Sequence, residues 1–214
     1  MAHRRHHLPP RLTASQRRIR YTIRRVGLVV LAAVVLAGIY AGDHAGLFGT
    51  KPAPVTPDYT RYNERTFRVV YIVDGDTLDI DAPDSDRGTT RIRLWGVDTP
   101  ETRNPRKSVQ HFGPEASAYT RHQCQGQRVR LSLVRGKTRC KYGRLLAYVI
   151  LPDGTMLNRD LVRLGYGYAD PRYDHPLKRE FLALQNEARK ARLGLWKDAR
   201  QKDLPYYLTD DPDD

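Results

Sequence analysis

Three acidic side chains lie where two predicted strands meet their loops, and their spacing suits metal-assisted chemistry. Asp76 begins an alternating segment and shares a face with Leu78 and Ile80, the face that we expect to point inward. A carboxylate there is costly unless a cation balances it. Asp98 and Glu101 flank a Thr-Pro turn, so one loop can direct both into one site. Oxygen ligands without a nearby histidine or cysteine favour calcium or magnesium over zinc.

Two arginines accompany these acids in the sequence. Arg93 precedes Asp98 on a predicted strand, and Arg144 follows a Tyr-Gly turn. Each residue also has a structural alternative, because Asp-Gly and Asp-Thr-Pro are common turn sequences and strand arginines are often solvent exposed. Their joint occurrence in this order favours the catalytic interpretation.

The elements that must position these residues form a mixed α+β pattern. Alternation and β-branched or aromatic composition predict five short strands. They span 66–73, 76–81, 90–95, 128–133 and 144–151. Helices are predicted at 113–123, from Asn158 as N-cap to Gly165, and at 176–193. Five strands with interspersed helices predict a small Greek-key barrel of the OB type.

The first 42 residues carry eight arginines and no acid, and they end in an uncharged run from Val26 to Gly42. The 17 residues of that run make about 25 Å of helix, at the short end for spanning a bilayer. A cleaved signal peptide and a buried core helix are the alternatives, but no small-x-small pair follows between Ala37 and Gly46. We expect an uncleaved single-pass anchor in the cell membrane, with its N-terminus cytoplasmic and the rest of the chain outside. Secretion after cleavage is the alternative localisation.

These features divide the chain into five segments. A basic leader at 1–25 precedes the transmembrane signal-anchor at 26–42, and a Pro-containing linker follows at 43–63. The folded domain is predicted at 64–200, where 26 basic and 17 acidic side chains leave a charge of +9, and an acidic tail occupies 201–214. The formal charge of +13 over 214 residues is therefore divided between a membrane leader and a domain suited to an anionic partner.

Several motifs resemble the staphylococcal nuclease, or thermonuclease, family. They are DGDT, RIRLWGVDTPE, FGPEASAYT, KYGRLLAY and LNRDLVRLG, beginning at residues 74, 91, 112, 141 and 157. The resemblance covers about 66–196 and implies a five-stranded OB barrel with three helices. It also implies calcium-dependent hydrolysis of phosphodiester bonds in DNA and RNA. We expect a monomer, and no protein partner is implied. A noncatalytic OB module that binds nucleic acid or protein is the alternative, although such copies typically lack acids or arginines that are present here.

The resemblance implies a calcium site and a general base. Asp76 and Asp98 match the calcium-binding carboxylates of the family, and Thr99 matches the threonine whose main-chain carbonyl adds a ligand. Glu101 matches the residue usually assigned as general base or as the group that orients the attacking water. Calcium held by only two carboxylates keeps room for water and a substrate oxygen.

The resemblance also implies the residues that bind substrate. Arg93 and Arg144 match the two arginines that hold the phosphate, and Lys141 and Tyr142 match residues of the nucleotide pocket. Tyr173 matches one of two tyrosines that flank the nucleoside. Six further basic residues are candidates to follow the phosphate backbone, with an ordinary solvated face as the alternative. They are Arg103, Arg106, Lys107, Arg135, Lys137 and Arg139.

The sequence departs from the family pattern at two positions. Cys140 stands where the family usually has an aspartate, and Pro171 stands where the second tyrosine is common; Tyr166 or Tyr168 is a candidate substitute. We expect pocket affinity or loop order to change, not the reaction type. Cys124 and Cys140 can pair outside the cytoplasm, but the resemblance places Cys124 in the core, which favours a buried free thiol.

Overall fold

The computed structural model describes residues 53–102 and 109–209. Within them the chain forms seven strands: β1 (Arg65–Ile72), β2 (Thr77–Ile80), β3 (Thr90–Leu94), β4 (Val97–Asp98), β5 (Arg128–Ser132), β6 (Leu145–Ile150) and β7 (Tyr168–Ala169). The order β1-β2-β3-β6-β5 closes into a barrel, and β4 pairs with β7 beside it. The predicted five-stranded barrel is confirmed, and it is consistent with an OB fold.

Helices cover the barrel between and after its strands. They are α1 (Pro57–Tyr62), α2 (Gly113–Cys124), α3 (Leu157–Arg163) and α4 (Lys178–Lys190). Three short 3-10 turns follow at Gly194–Lys197, Gln201–Asp203 and Tyr206–Leu208. The three predicted helices are present as α2, α3 and α4, with ends that differ from the predictions by at most three residues. Among the described residues no helix is both long and apolar enough to cross a bilayer, and the anchor predicted at 26–42 lies outside them.

Strand register places the candidate site residues at one end of the barrel. β2 and β3 pair antiparallel with Thr77 opposite Arg93, so Asp76 comes next to that arginine. β3 and β6 pair parallel with Ile92 opposite Leu145, so Arg144 enters from the same region. Alternation buries Ile92 and its neighbours of the same face in the core, which leaves Arg93 on the other face of the strand.

The folded unit begins earlier than the predicted domain boundary at residue 64. Part of the predicted linker forms α1, whose N-cap Thr56 accepts a hydrogen bond from the backbone N–H of Tyr59 at 3.1 Å. Tyr62 is completely buried, and its hydroxyl lies 3.0 Å from that of Thr90. The prolines of this segment predicted an extended linker and not a helix. Pro57 is nevertheless compatible with α1, because it occupies the first turn, where proline is tolerated.

The folded unit also continues past residue 200. The part of the predicted acidic tail that the structure describes, residues 201–209, contains two 3-10 turns, one of which contacts the candidate site. The predicted leader and the last five residues of the tail lie outside the described residues.

Asn158 does not cap α3 as predicted, because Met156 occupies the N-cap position. Asn158 is fully buried within the helix, and its side chain links the helix to the barrel. Its Oδ1 accepts the N–H of Val149 at 2.9 Å, and its Nδ2 donates to the carbonyls of Trp95 at 3.0 Å and Ala147 at 3.2 Å. The polar side chain therefore satisfies three backbone groups in the core.

Replacing Asn158 with alanine is expected to lower the free energy of unfolding by about 2–4 kcal/mol, because it removes three hydrogen bonds to backbone groups in the core. The Ala147 carbonyl still accepts the N–H of Trp95 at 3.0 Å, so the loss falls mainly on the Val149 N–H and the Trp95 carbonyl. Urea denaturation followed by circular dichroism measures this loss. Arg159→Ala is the matched control: Arg159 makes a half-exposed ion pair with Glu180, which contributes no more than about 1 kcal/mol. Equal stability of the two variants would contradict the bridging role.

Candidate active site

Asp76 and Asp98 approach the same guanidinium at the end of the barrel. Asp76 is only 5% exposed; its Oδ1 accepts the hydroxyl of Thr77 at 2.9 Å, and its Oδ2 accepts the N–H of Thr99 at 2.8 Å. Arg93 forms an ion pair with Asp76 through Nη1 and donates through Nη2 to Asp98 Oδ1 at 2.6 Å. The structure thus brings four of the predicted site residues together.

Burial determines the ionisation of these acids. It raises the pKa of Asp76 to about 6, although the charge of Arg93 acts in the opposite direction. It also raises the pKa of Asp98, again against the charge of Arg93. For Arg93 burial lowers the pKa, but the charges of Asp76 and Asp98 raise it further, so the guanidinium stays protonated. Asp76 and Asp98 share Arg93, and Asp98 and Asp170 share Arg172, so three carboxylates meet two guanidiniums and an additional cation would be favourable here.

Close packing fixes the turn that carries Asp76. A Cβ atom at Gly75 would lie 2.7 Å from Thr99 Oγ1, so only glycine fits between the two loops. The hydroxyl of Thr120 in α2 donates to the Gly75 carbonyl at 2.6 Å. The Asp-Gly turn seen in the sequence therefore does two things: it reverses the chain and lets Asp76 approach the loop of Thr99.

Glu101 is an exposed residue whose backbone is held by Gln110. Its N–H donates to Gln110 Oε1 at 2.7 Å, and its carbonyl accepts the N–H of Gln110 at 2.9 Å. Residues 103–108, between these two positions, lie outside the described part of the chain. The paired contacts fix the start of the loop, and Glu101 lines the same cavity as Asp76 and Asp98.

A cavity of about 430 Å³ unites the acids with the predicted substrate-binding residues. Arg144 lines it from the start of β6, and its buried Nε has no hydrogen-bond partner among the described residues. The ring of Tyr142 lies under both Lys141 Nζ, 5.0 Å from its centroid, and the guanidinium of Arg144, at 5.4 Å. Tyr173 also lines the cavity. Of the nine predicted site residues, all but Thr99 line this cavity, and Thr99 lines an adjoining groove of about 330 Å³.

Arg139 differs from the predicted backbone-following role. Its guanidinium is held by Asp58 at 2.7 and 2.8 Å and by Asp84 at 2.6 and 3.1 Å. The two carboxylates tie α1 to the loop before β6 and occupy the donors that a phosphate would need. Arg103, Arg106 and Lys107 lie outside the described residues.

Neither candidate substitute for the tyrosine missing at Pro171 lines the main cavity. Tyr166 stacks on Tyr119 with ring centroids 4.3 Å apart, and Tyr168 is buried with its ring edge-on to Trp196. Because both rings pack against other side chains outside the main cavity, neither replaces the missing tyrosine that would flank the nucleoside.

Three residues around Asp98 escaped sequence analysis. The Oδ2 of Asp98 accepts hydrogen bonds from the hydroxyl of Tyr207 at 2.6 Å and from Nη2 of Arg172 at 3.0 Å. Tyr206, next in the same turn, lines the main cavity. The two adjacent tyrosines in an otherwise acidic tail were the available signal, but no local pattern connects them with a residue more than a hundred positions earlier.

Both cysteines are free, and their environments differ. Cys124 is buried and donates to the Thr120 carbonyl at 3.1 Å, and burial raises the pKa of its thiol to about 12. At Cys140 burial also acts to raise the pKa, but hydrogen bonds from the Arg144 side chain and from the backbone of Tyr142 and Arg144 outweigh it, so the pKa falls below its ordinary value. The predicted buried free thiol at Cys124 is confirmed.

Iodoacetamide at pH 7.5 is therefore expected to modify Cys140 before Cys124, because the thiolate is the reactive form. Peptide mass spectrometry after timed quenching should show Cys140 labelled at least tenfold faster, and Cys124 labelled only after the protein is unfolded in urea. Labelling of both thiols at the same rate in the native protein would contradict the two environments.

The sequence is similar to known nucleases over most of its length. Residues 91–198 match the family described as staphylococcal nuclease homologue. The thermonuclease of Staphylococcus hyicus is 34% identical over 172 residues, which cover 79% of this chain and 94% of that protein. The thermonuclease of Staphylococcus intermedius is 35% identical over 178 residues, which cover 80% and 96%. An uncharacterized endonuclease of Escherichia coli O157:H7 is 35% identical over 133 residues, which cover 62% and 77%. With its barrel and its motifs in the family's order, the chain belongs to the staphylococcal nuclease homologue family and is a phosphodiester hydrolase of that type.

Proposed function

We propose that this chain is a calcium-dependent nuclease that hydrolyses phosphodiester bonds of DNA and RNA as a monomer, outside the cytoplasm. The observation that carries the proposal is one cavity lined by two acids, two arginines and an exposed glutamate: Asp76, Asp98, Arg93, Arg144 and Glu101. Carboxylates that can hold a metal ion and guanidiniums that can bind a phosphate, together in one cavity, suit a reaction in which a phosphate gains negative charge.

The donor set fits calcium. Asp76 and Asp98, with the main-chain carbonyl of Thr99, would hold the ion, and all three donors are oxygens. Among the described residues no three His, Cys, Asp or Glu side chains lie close enough together to hold a metal, so a bound ion would keep water or substrate oxygens as ligands. Calcium there would supply positive charge beside the phosphate oxygens.

The arginines bind and polarise the phosphate. Arg93 is held in place by its contacts with the two acids, and its direction is therefore fixed before substrate arrives. Arg144 lines the same cavity with a buried Nε that has no hydrogen-bond partner among the described residues, a donor that a phosphate oxygen can satisfy. As water adds to phosphorus, charge on the equatorial oxygens grows, and both guanidiniums stabilise it.

Glu101 activates the attacking water. Its carboxylate lines the cavity and can accept a proton from a water while the P–O bond to the leaving oxygen breaks. Gln110 holds the backbone on which this carboxylate is carried. Lys141, Tyr142 and Tyr173 line the remaining cavity and bind the nucleotide beside the scissile phosphate.

Digestion by the purified full chain tests this function. Supercoiled plasmid and a single-stranded RNA are incubated with calcium, with magnesium, or with EGTA. We expect both substrates to be cleaved in calcium and neither in EGTA. The Glu101→Ala, Arg144→Ala double variant, matched for folding by circular dichroism, reveals contaminating nuclease. Absence of cleavage in calcium, or equal cleavage by the double variant, would refute the proposal.

The N-terminal leader is proposed to hold the enzyme at the membrane. The supporting observation is the basic segment followed by the uncharged run at 26–42. Sequencing the N-terminus of the mature protein in membrane and soluble fractions tests it: an intact leader in the membrane fraction is expected. A mature chain that begins near Gly42 would instead indicate a secreted enzyme.

A further inference from the structure

We propose that Tyr206 is a further substrate-contacting residue, a platform on which a nucleobase next to the scissile phosphate stacks. The proposal rests on the proposed nuclease function and adds to it a wall of the active site formed by the C-terminal segment, defined as residues Gln201–Thr209. No motif in the sequence assigned this segment to the site.

The C-terminal segment is fixed to the site by Tyr207. The hydroxyl of Tyr207 donates to Asp98 Oδ2 at 2.6 Å. Arg172 donates to the same oxygen at 3.0 Å, pairs with Asp170 at 2.8 Å, and places its guanidinium 4.3 Å from the centroid of the Tyr207 ring. Tyr207 is thus held both by its hydroxyl and by its ring face. Its neighbour Tyr206 consequently has a defined position at the cavity.

Tyr206 presents an exposed ring from this fixed base. It is 69% exposed and packs edge-on against Tyr207, with ring centroids 5.4 Å apart and planes at 82°. It lines both the main cavity and the adjoining groove, so it stands between the two. A rigidly supported aromatic ring at the edge of a phosphodiesterase cavity is the arrangement that stacks bases without sequence preference.

The charges near Tyr206 favour a base over a phosphate. The adjoining groove is lined by the acids Asp98, Glu101 and Asp203, and Arg172 lies there with its Nε and Nη2 already bound to Asp170 and Asp98. A phosphate in this groove would meet net negative charge, whereas a neutral, flat base would meet only the ring. The ring therefore complements Arg93 and Arg144, which line the main cavity and would bind the phosphate backbone.

Binding to matched oligonucleotides with and without bases tests the proposal. The purified full chain, in detergent and excess EGTA to prevent cleavage, is titrated into fluorescein-labelled octathymidylate or an octamer of abasic tetrahydrofuran nucleotides, and anisotropy gives the Kd. Tyr206→Ala is expected to raise the Kd for octathymidylate about five- to tenfold, in line with the loss of one stacked ring, and to leave the Kd for the abasic octamer unchanged. Tyr206→Phe keeps the ring and should retain the parent's affinity.

Tyr71→Ala is the matched control, because Tyr71 is an exposed ring on β1 that lines neither the cavity nor the groove. An unchanged Kd for octathymidylate in Tyr206→Ala, or an equal loss of both oligonucleotides, would overturn the proposal. Calcium-dependent cleavage by the parent chain is measured in parallel. Failure of the proposed function appears in the parent itself, whereas failure of this inference leaves the parent active and the Tyr206 variants indistinguishable from it.

Discussion

Arg144→Ala is expected to lower the kcat of phosphodiester cleavage by about 10³-fold or more, while the fold remains intact. Removal of a single donor that faces developing negative charge typically reduces kcat by about 10²–10³-fold, and removal of an arginine that faces a transferring phosphoryl group by about 10³–10⁵-fold. Arg144 lines the cavity with a buried Nε that has no hydrogen-bond partner among the described residues, and its contacts with the Cys140 thiol and the Tyr142 ring lie at the cavity, so its removal should leave the barrel folded. Single-turnover cleavage of a labelled oligonucleotide at saturating calcium measures the effect on the chemical step.

Two variants separate a catalytic role of Arg144 from a general charge effect. Arg144→Lys keeps the charge but loses the planar fork, so we expect it to recover only part of the lost rate. Arg91→Ala removes an arginine of β3 that is bound through two contacts to Asp79 and does not line the cavity, so its rate should stay within about twofold of the parent. If Arg91→Ala and Arg144→Ala were equally slow, the loss would reflect net charge rather than the site.

The barrel could be predicted because its signals are local. Ile92 and Arg93 are adjacent in β3, and strand alternation predicts that they lie on opposite faces of the strand. Burial in the structure follows that prediction. The parallel pairing of β3 with β6 could not be predicted this way, because register between distant strands depends on closure of the whole barrel. That pairing is what brings Arg144 to the cavity that Asp76 and Asp98 line.

The side chains that hold Asp98 could not be predicted from local sequence patterns, for a related reason. Tyr207 and Arg172 reach Asp98 from segments more than seventy residues away, and neither lies in a motif of the family. For Asn158 a local prediction was possible but wrong. Its residue type and position predicted a helix cap, whereas its amide lies buried between α3 and the barrel and bonds three backbone groups there. In both cases tertiary contacts decide the role of a polar side chain.

Asp76→Asn is expected to weaken calcium binding by about 100-fold or more and to lower cleavage at subsaturating calcium in proportion. The amide has the shape of the carboxylate but not its charge, and oxygen ligands with full charge provide most of the affinity of such a site. Isothermal titration of calcium into the full chain measures the affinity directly. Thermal unfolding gives a second readout, since a ligand that binds only the folded state raises the Tm by an amount that depends on its concentration relative to its Kd.

The calcium-free form of Asp76→Asn should be at least as stable as the parent at pH 7. The pKa of Asp76 is raised from the ordinary 3.8 to about 6, so the folded state loses stability as the pH rises from about 4 to about 6, and the full penalty of the ionised form is present at pH 7. The neutral amide removes that penalty, and Asp98 still pairs with Arg93. Asp79→Asn is the control on the same strand: it breaks the pair with Arg91 outside the cavity and should leave calcium affinity unchanged. A parent-like calcium-induced rise in Tm in Asp76→Asn would show that this carboxylate serves the fold and not the ion.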